Sequence, residues 1–581
     1  MPKMIRVNMS ELSVAYQDLP EKYGNLAGRA LTSTVICDEV PADCHPLGPN
    51  NKVVIAPGIV TGTSAPTSSR ISVGAKSPLT GGIKEANAGS RFPCQMARMG
   101  IRAIVIEGQP KEKGYWALKV TMDGATLEPA DEFVGKGLYA TAPLIYQKYG
   151  DKVGFMTVGT SGEHKMSMAG VCFNDTEGRP SRFAGRGGLG AVIGSKGLKL
   201  IVLDDEGAPG VPIANKELFE AGRKKMIDAL MEHAITKPKG ALNSYGTAVL
   251  INILNEAGGL PTRNFSAGTF EGAAKISGEA LFEGNKQRLG KELYNHACSP
   301  GCIIRCSNTW HNADGTEMVS CQEYESIWAF GANCGIDSLD ATGKLIWLCN
   351  DIGLDTIEAG DAVAVAMEAG LLKFGDAPGA VKLLEEIHKG SPLGHIIGNG
   401  AEAIGKTYGV VRVPTVKGQG MPAYEPRAVK GIGVTYATST MGADHTSGYT
   451  IAPEILGVSG KVDALDPAGK GELSRNFQAS TAFIDSSGHC LFIAFAILDI
   501  PSGFQGLIEE CCGVLGTQWS ANDVIAYGMD VMRKERAFNE AAGMGKHHDR
   551  LPEFMKYEQL PPHNGVFDVP DEVLDSVYGG L

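Results

Sequence analysis

The chain has 581 residues, 43% apolar and 20% charged, with a formal charge of −12. That length exceeds what one hydrophobic core organises, and the composition excludes a disordered or collagen-like chain. The acidic balance excludes a generic nucleic-acid binder, which needs a basic face, and the 76 glycines, spread without a period, predict many tight turns.

Short β-branched runs between glycine turns predict strands over the first two hundred residues, at 53–58, 70–76, 103–108, 116–122, 152–159 and 199–203. No internal repeat is visible in the residues. The polar stretch DDEGAPGVPIANKE (204–217) reads as a boundary, after which the apolar period changes to three and four, predicting helices at 216–235, 247–257, 361–372 and 380–390. A second break falls at VRVPTVKGQGMPAYEP (411–426). The expected fold class is α+β, a β-rich base over residues 1–208 followed by two mostly α-helical domains at 209–414 and 415–581. The segment MPKMIRVNMSEL has no apolar core of a signal peptide, and CLFIAFAIL (490–498) is half a membrane span, so a cytoplasmic protein without a membrane span is expected.

FAGRGGLGAVIG (183–194) holds a Gly-x-Gly-x-x-Gly pattern at Gly185, Gly187 and Gly190. NDTEGRPSR before it shows no strand, and the gap to the next strand is too short for a crossover helix, so a dinucleotide site is rejected. A turn, or a glycine-rich phosphate cradle flanked by Arg182 or Arg186, remains.

CSPGCIIRC (298–306) places Cys298, Cys302 and Cys306 within nine residues, and Pro300-Gly301 argues against a regular helix through the first gap. The thirteen cysteines are too irregular for a disulfide framework. Zinc, completed by His296 or His311, and three buried structural cysteines are both open readings. A [4Fe–4S] cluster with a distant fourth thiolate fits best, the candidates being Cys321, Cys334, Cys349, Cys490 and the pair Cys511-Cys512.

At these residues the sequence resembles the tungsten-dependent aldehyde:ferredoxin oxidoreductases. The likeness runs through residues 54–89, AGRGGLGAVIGSKGLK (184–199), the cysteine cluster, QEYESIWAFGANCGI (322–336), NDIGLDTIEAG (350–360), MGADHTSG (441–448) and DSSGHC (485–490). The resemblance implies tungsten, or molybdenum, held by the dithiolenes of two pterins (bis-molybdopterin), a nearby [4Fe–4S] cluster and Mg²⁺ bridging the pterin phosphates. It implies that Arg70, Asn87, Arg182, Ala184 and Gly185 serve the phosphates. The family's pterin motifs D-x-x-G-L-D and D-x-x-G-L-C correspond to Asn350-Asp351-Ile352-Gly353-Leu354-Asp355 and Asp485-Ser486-Ser487-Gly488-His489-Cys490. Asn350 replaces an Asp, and His489 replaces a Leu, from where it is expected to donate to cluster or pterin. Cys490 becomes the fourth cluster ligand. The first cysteine gap is one residue longer than the family's usual gap, so Ser299-Pro300-Gly301 is expected to bulge.

Glu325 and His445 match the family's acid/base positions, with Tyr324 as a helper. The implied reaction is oxidation of an aldehyde to a carboxylic acid, electrons passing to ferredoxin or an iron–sulfur subunit, in a homo- or hetero-oligomer. Reduction of an aromatic CoA thioester and a non-catalytic electron-transfer or zinc-binding subunit are the alternatives.

Overall fold

The computed structural model describes residues 2–579. Its first two hundred residues form two six-stranded sheets. The first comprises β1 (Lys3–Asn8), β2 (Ser13–Asp18), β3 (Val53–Pro57), β4 (Arg70–Lys76), β5 (Ile83–Gly89) and β6 (Ile101–Glu107), in the order β2-β1-β6-β3-β4-β5. The second comprises β7 (Trp116–Thr121), β8 (Gly124–Pro129), β9 (Gly154–Thr157), β10 (Val171–Phe173), β11 (Arg182–Ala184) and β12 (Leu198–Leu203), in the order β8-β7-β12-β9-β10-β11. These orders are the same topology twice. In each, a hairpin precedes a helix and three antiparallel strands, and the last strand returns parallel to the first. The base is therefore an internal duplication, which the sequence reading missed.

Strand periodicity explains the layering. Ile5, Val7, Val53, Ile55, Ile104 and Ile106 pack against Leu118, Val120, Met156, Val158, Ile201 and Leu203 in one core between the sheets. The alternate residues Met4, Val54, Ala103 and Val105 face Leu31, Val35 and Ile36 of helix Gly28–Glu39. Ala117, Phe155, Leu200 and Val202 do the same against Ala142 and Ile145 of helix Leu138–Tyr149. The inner strands of both sheets are thus buried on two faces, which is why strands such as β3, β6 and β12 read as apolar runs, while β2 and β8 at one edge stay exposed or half-buried.

From Lys216 onward the chain is mostly helical, with two short hairpins at 309–320 and 415–420. The helix expected at 247–257 is a turn of 3₁₀-helix followed by Leu250–Glu256, and the apolar run at 490–498 yields only Ile493–Asp499. No helix of the described residues is long and apolar enough to cross a membrane. The Gly185–Gly190 segment does have a strand before it, β11, contrary to expectation. It remains no dinucleotide motif, because the following helix, Leu189–Ser195, is seven residues long and leads to β12, which pairs with β9 and β7 and not with β11.

Candidate active site

The two D-x-x-G segments are helix ends. Helix Leu339–Ile352 stops at Gly353 (φ 86°) and helix Lys470–Ser487 stops at Gly488 (φ 94°), the left-handed caps that glycine accommodates. Each end seats on one repeat of the base, in the same way. A methyl at Gly58, just past β3, would lie 2.1 Å from Gly488 Cα; at Gly159, just past β9, it would lie 2.1 Å from the Ile352 carbonyl oxygen. The Arg70 N–H donates to the Gly488 carbonyl as the Gly170 N–H donates to Gly353, and Cys490 N–H donates to Thr67 as Asp355 N–H donates to Met168. The site has two equivalent halves.

The halves differ in charge. Asp485 lies 3.3 Å from Arg29, whose guanidinium also forms a buried two-pronged pair with Glu535 at 2.9 and 2.8 Å. Its counterpart Asn350 makes no hydrogen bond to a cationic side chain among the described residues and donates to the Tyr139 hydroxyl at 3.2 Å and the Ser320 carbonyl at 3.3 Å. An amide suits that place, since a carboxylate there would be buried unpaired.

The halves enclose a cavity of about 360 Å³. Arg70, Asn87, Arg182, Gly185, Asn350, Leu354, Asp355, Asp485, Cys298, Cys490, Glu325, His445 and Tyr324 all line it, although they come from every part of the chain. Arg182 keeps a buried Nε without a partner, its other nitrogens meeting Ser307 and Glu323. Arg186 is spent: it donates to Asp355 at 2.9 Å and to the carbonyls of Ala443 and Gly420 at 2.7 Å. Asp355 also caps helix Thr356–Glu368. Gly353 and Gly488 sit behind the cavity wall as caps, and Ala184 is a strand residue paired with Val171.

His489 does not point inward. Its Nδ1 meets Ser487 Oγ at 3.0 Å and its Nε2 lies 3.0 Å from Glu510 Oε2, both buried, so the expected donation to a cluster or pterin is not available from this orientation. The side chain turns away because Gly488 ends the helix and the next residue packs against helix Pro501–Leu515.

The cysteine segment is a loop, pinched at its base by paired main-chain bonds between His296 and Ser307. Gly301, at φ 75°, makes the expected bulge. Thr67 joins this loop to the other cysteine: its N–H donates to Gly301, its carbonyl accepts from Cys490 N–H, and its hydroxyl accepts from Ile303 N–H at 3.1 Å. Arg70 donates to Cys490 Sγ at 2.9 Å. Burial works against the Arg70 charge, but the sulfurs of Cys490 and Cys298 raise its pKa above the ordinary value. Burial pushes the Cys302 thiol up to about 12, helped by Cys298 and Cys490, and Cys306 also feels all three other thiols. Cys298 and Cys490 line the cavity, and Cys302 and Cys306 lie near enough to both to feel their charge.

Among the described residues no three His, Cys, Asp or Glu side chains converge tightly enough to chelate a single ion. His311 meets Asn285, and His296 lies 3.9 Å from Asp175. Of the other cysteines weighed as fourth ligand, Cys321 lines the cavity but donates to the Ser181 carbonyl. Cys334 donates to the Ala329 carbonyl.

Across the cavity, Glu325 and His445 face each other with Oε1 and Nε2 3.4 Å apart. Glu325 Oε2 accepts from Ala423 N–H at 3.0 Å, and Tyr324 donates its hydroxyl to the Ala423 carbonyl at 2.6 Å. Tyr324 therefore holds the carbonyl side of the residue whose N–H holds Glu325. Burial pushes the Glu325 carboxyl up to about 8 and His445 down to about 4. Tyr424, Tyr449 and Phe492 form an aromatic wall beside them.

Sequence reasoning missed Arg29, Thr67 and Glu85. Glu85 lines the cavity with a buried, unpartnered Oε1, and its pKa is raised by burial and by Asp485. Its strand position on the inner edge of β5, two residues before Asn87, was the available signal.

The family model described as "Aldehyde ferredoxin oxidoreductase, N-terminal domain" matches residues 4–205, and that for "domains 2 & 3" matches 222–579. The tungsten-containing aldehyde ferredoxin oxidoreductase of Pyrococcus furiosus is 36% identical over 97% of this chain and 93% of its own. That of Thermococcus kodakarensis is 36% identical over 99% and 95%. An aliphatic sulfonate oxidoreductase, WOR-like subunit, of Pyrococcus furiosus is 24% identical over 87% and 80%. The solved active site complex BamBC of benzoyl coenzyme A reductase shares the fold, with a TM-score of 0.78 at 17% identity over 99% of this chain and 93% of that one. Two matching domain models, spanning the duplicated base and the helix ends seated on it, leave one assignment: the chain belongs to the aldehyde ferredoxin oxidoreductase family.

Proposed function

We propose that the protein oxidises an aldehyde to a carboxylic acid at a tungsten, or molybdenum, bis-pterin centre. Its electrons then leave through a [4Fe–4S] cluster to ferredoxin or an iron–sulfur partner. The observation that carries this reading is the placement of Glu325 and His445 in one cavity with Cys298, Cys490 and two equivalent half-sites.

The residues fit the groups. Two half-sites built on repeated backbone suit two like pterins, and the orphaned Arg182 Nε and Glu85 Oε1 suit a polar ligand. Asn350, Leu354, Asp355 and Asp485 would meet the pterins, with Gly353 and Gly488 setting the helix ends. Arg70, Asn87, Arg182 and the main chain of Ala184 and Gly185 would serve phosphates and Mg²⁺. Cys298, Cys302, Cys306 and Cys490 would hold the cluster. When bound, these groups supply a two-electron acceptor and a one-electron relay.

The chain's own residues manage protons. Aldehyde plus water yields carboxylic acid, two protons and two electrons. Glu325 Oε1 takes a proton from the water that adds to the carbonyl carbon, and its raised pKa makes it a stronger base than an exposed carboxylate. His445, neutral because of its burial, donates a hydrogen bond to the carbonyl oxygen without introducing a full charge. Tyr424, Tyr449 and Phe492 exclude bulk water from the carbonyl.

Anaerobic purification, metal analysis and a viologen-linked aldehyde panel test the reading. Tungsten or molybdenum with iron, and aldehyde-dependent reduction, are expected. Zinc alone, or iron without either heavier metal and no aldehyde turnover, would overturn it. An aromatic CoA thioester with a low-potential reductant separates the ring-reducing chemistry named for the fold neighbour, whose likeness extends to the fold alone.

A further inference from the structure

The turn that carries His445 is held from the base. Asp444 caps the 3₁₀ turn His445–Ser447, its Oδ1 accepting from Thr446 N–H at 3.1 Å and from the Thr446 hydroxyl at 2.8 Å. Its other oxygen accepts from Lys84 Nζ at 2.8 Å. Lys84 is fully buried and belongs to β5, the strand that also presents Glu85 and Asn87 to the cavity. The same ammonium reaches the Met441 carbonyl at 3.4 Å, and Glu85 N–H donates to Met441 Sδ at 3.1 Å. Arg186 grips the Ala443 carbonyl between them at 2.7 Å.

A lysine reaches this place only through an opening in the glycine segment. A methyl at Gly187 would lie 2.4 Å from Lys84 Cγ and 2.7 Å from Cδ, so the middle glycine of the Gly185, Gly187, Gly190 pattern lets the lysine stem pass.

Burial dominates the proton affinities of Glu325 and His445. Beyond it, Asp444 raises both and Arg186 lowers both, and Lys84 adds to the lowering at His445. Asp355 adds negative charge toward Glu325, Asp485 feels Asp444 from helix Lys470–Ser487, and the phenols of Tyr424 and Tyr449 close the remaining side. Arg186 is already bonded to Asp355, and among the described residues Lys84 is the one cation at ion-pair distance from Asp444.

We infer that Lys84 is a positioning residue for His445: it ties the histidine's turn to the strand that carries Asn87 and offsets the Asp444 carboxylate beside it. The kinetic test of this inference rests on the aldehyde-oxidising reading.

In the holoenzyme, Lys84→Met leaves Asp444 without its cation. The viologen-linked limb expected at about pH 8 then moves up by about one unit, and kcat/KM at pH 7 falls about tenfold. Asp444→Asn removes the anion but keeps an oxygen for Thr446 N–H, so the limb moves down by about one unit. The charge-balanced double variant returns to within about threefold of the parent, which a loss of packing alone would not do. Metal and iron contents stay constant throughout. Shifts of the same sign, no shift, or a double variant slower than either single one overturns the proposal. Should Lys84→Met fail to accumulate, the downward shift in Asp444→Asn decides.

A second readout needs no aldehyde. Diethyl pyrocarbonate attacks neutral imidazole, and peptide mass spectrometry follows His445 alone. The parent, with His445 near 4, is modified almost equally at pH 5 and pH 7. In Lys84→Met the pH 5 rate falls to about half, and the double variant regains it. That result without aldehyde turnover fails the function reading alone; equal rates at both pH values in Lys84→Met overturn the inference.

Discussion

The pH dependence of turnover follows from the two buried groups that face each other at 3.4 Å. In the role proposed for it Glu325 acts as a base only when ionised, and its pKa of about 8 reflects burial, with a single main-chain donor on Oε2 and, among the described residues, none on Oε1. Such a carboxyl is about one-tenth ionised at pH 7, half at pH 8 and nine-tenths at pH 9. The viologen-linked kcat/KM should therefore rise about fivefold from pH 7 to 8 and about twofold more by pH 9. His445, held near 4, stays neutral throughout and adds no second limb. Glu325→Gln keeps an acceptor for Ala423 N–H but removes the base, so activity should fall by about a hundredfold or more, with metal content intact. The stability effect has the opposite sense. The folded protein holds the Glu325 proton more tightly than the unfolded chain, so stability is lost as pH rises from about 4.5 through about 8. The Gln variant should melt higher than its parent at pH 9 and converge with it near pH 5. A flat profile, or a limb that survives in the Gln variant, would remove Glu325 from this role.

The thiol cage predicts that Cys298→Ala and Cys490→Ala each lower iron content while Cys321→Ala, a donor to Ser181, leaves it unchanged; iron loss in Cys321→Ala would reassign the fourth ligand. Gly58→Ala and Gly159→Ala drive a methyl into fixed backbone on equivalent sides of the base and should each cost about 1–3 kcal/mol or more, read by denaturation. Unchanged melting in either would contradict the equivalent seating. Arg29→Met leaves Glu535 and Asp485 buried without their cation and should cost about 3–5 kcal/mol in urea unfolding; a loss below about 1 kcal/mol would refute the pairing.

Strands such as 53–57 and 198–203 were legible because both their faces are buried and the residues are β-branched. The duplication was not, because its equivalences run through main-chain groups. Thr67 and Met168 offer the same carbonyl, and Arg70 and Gly170 the same N–H, so no side-chain signature is repeated. Cys298, Cys302 and Cys306 were singled out by their spacing, whereas Glu325, His445 and Cys490 were proposed through the family resemblance. Arg29 and Glu85 were not, since a lone Arg in a helix and a lone Glu in a strand show nothing of the charges folded against them. The direction of His489 was not legible, because direction after a helix cap depends on the helix the side chain packs against.

Thr67 carries a consequence for how the protein is made. It stands in the base and binds two segments that emerge from the ribosome far apart, the 298–306 loop and Cys490. Three thiols are therefore synthesised long before the fourth, and nothing in the nascent chain can close the cage until the last helices have docked on the base. If these four thiols hold the proposed cluster, its insertion follows the synthesis of Cys490, and truncations that end before Cys490 should accumulate without it whatever metal the cell supplies.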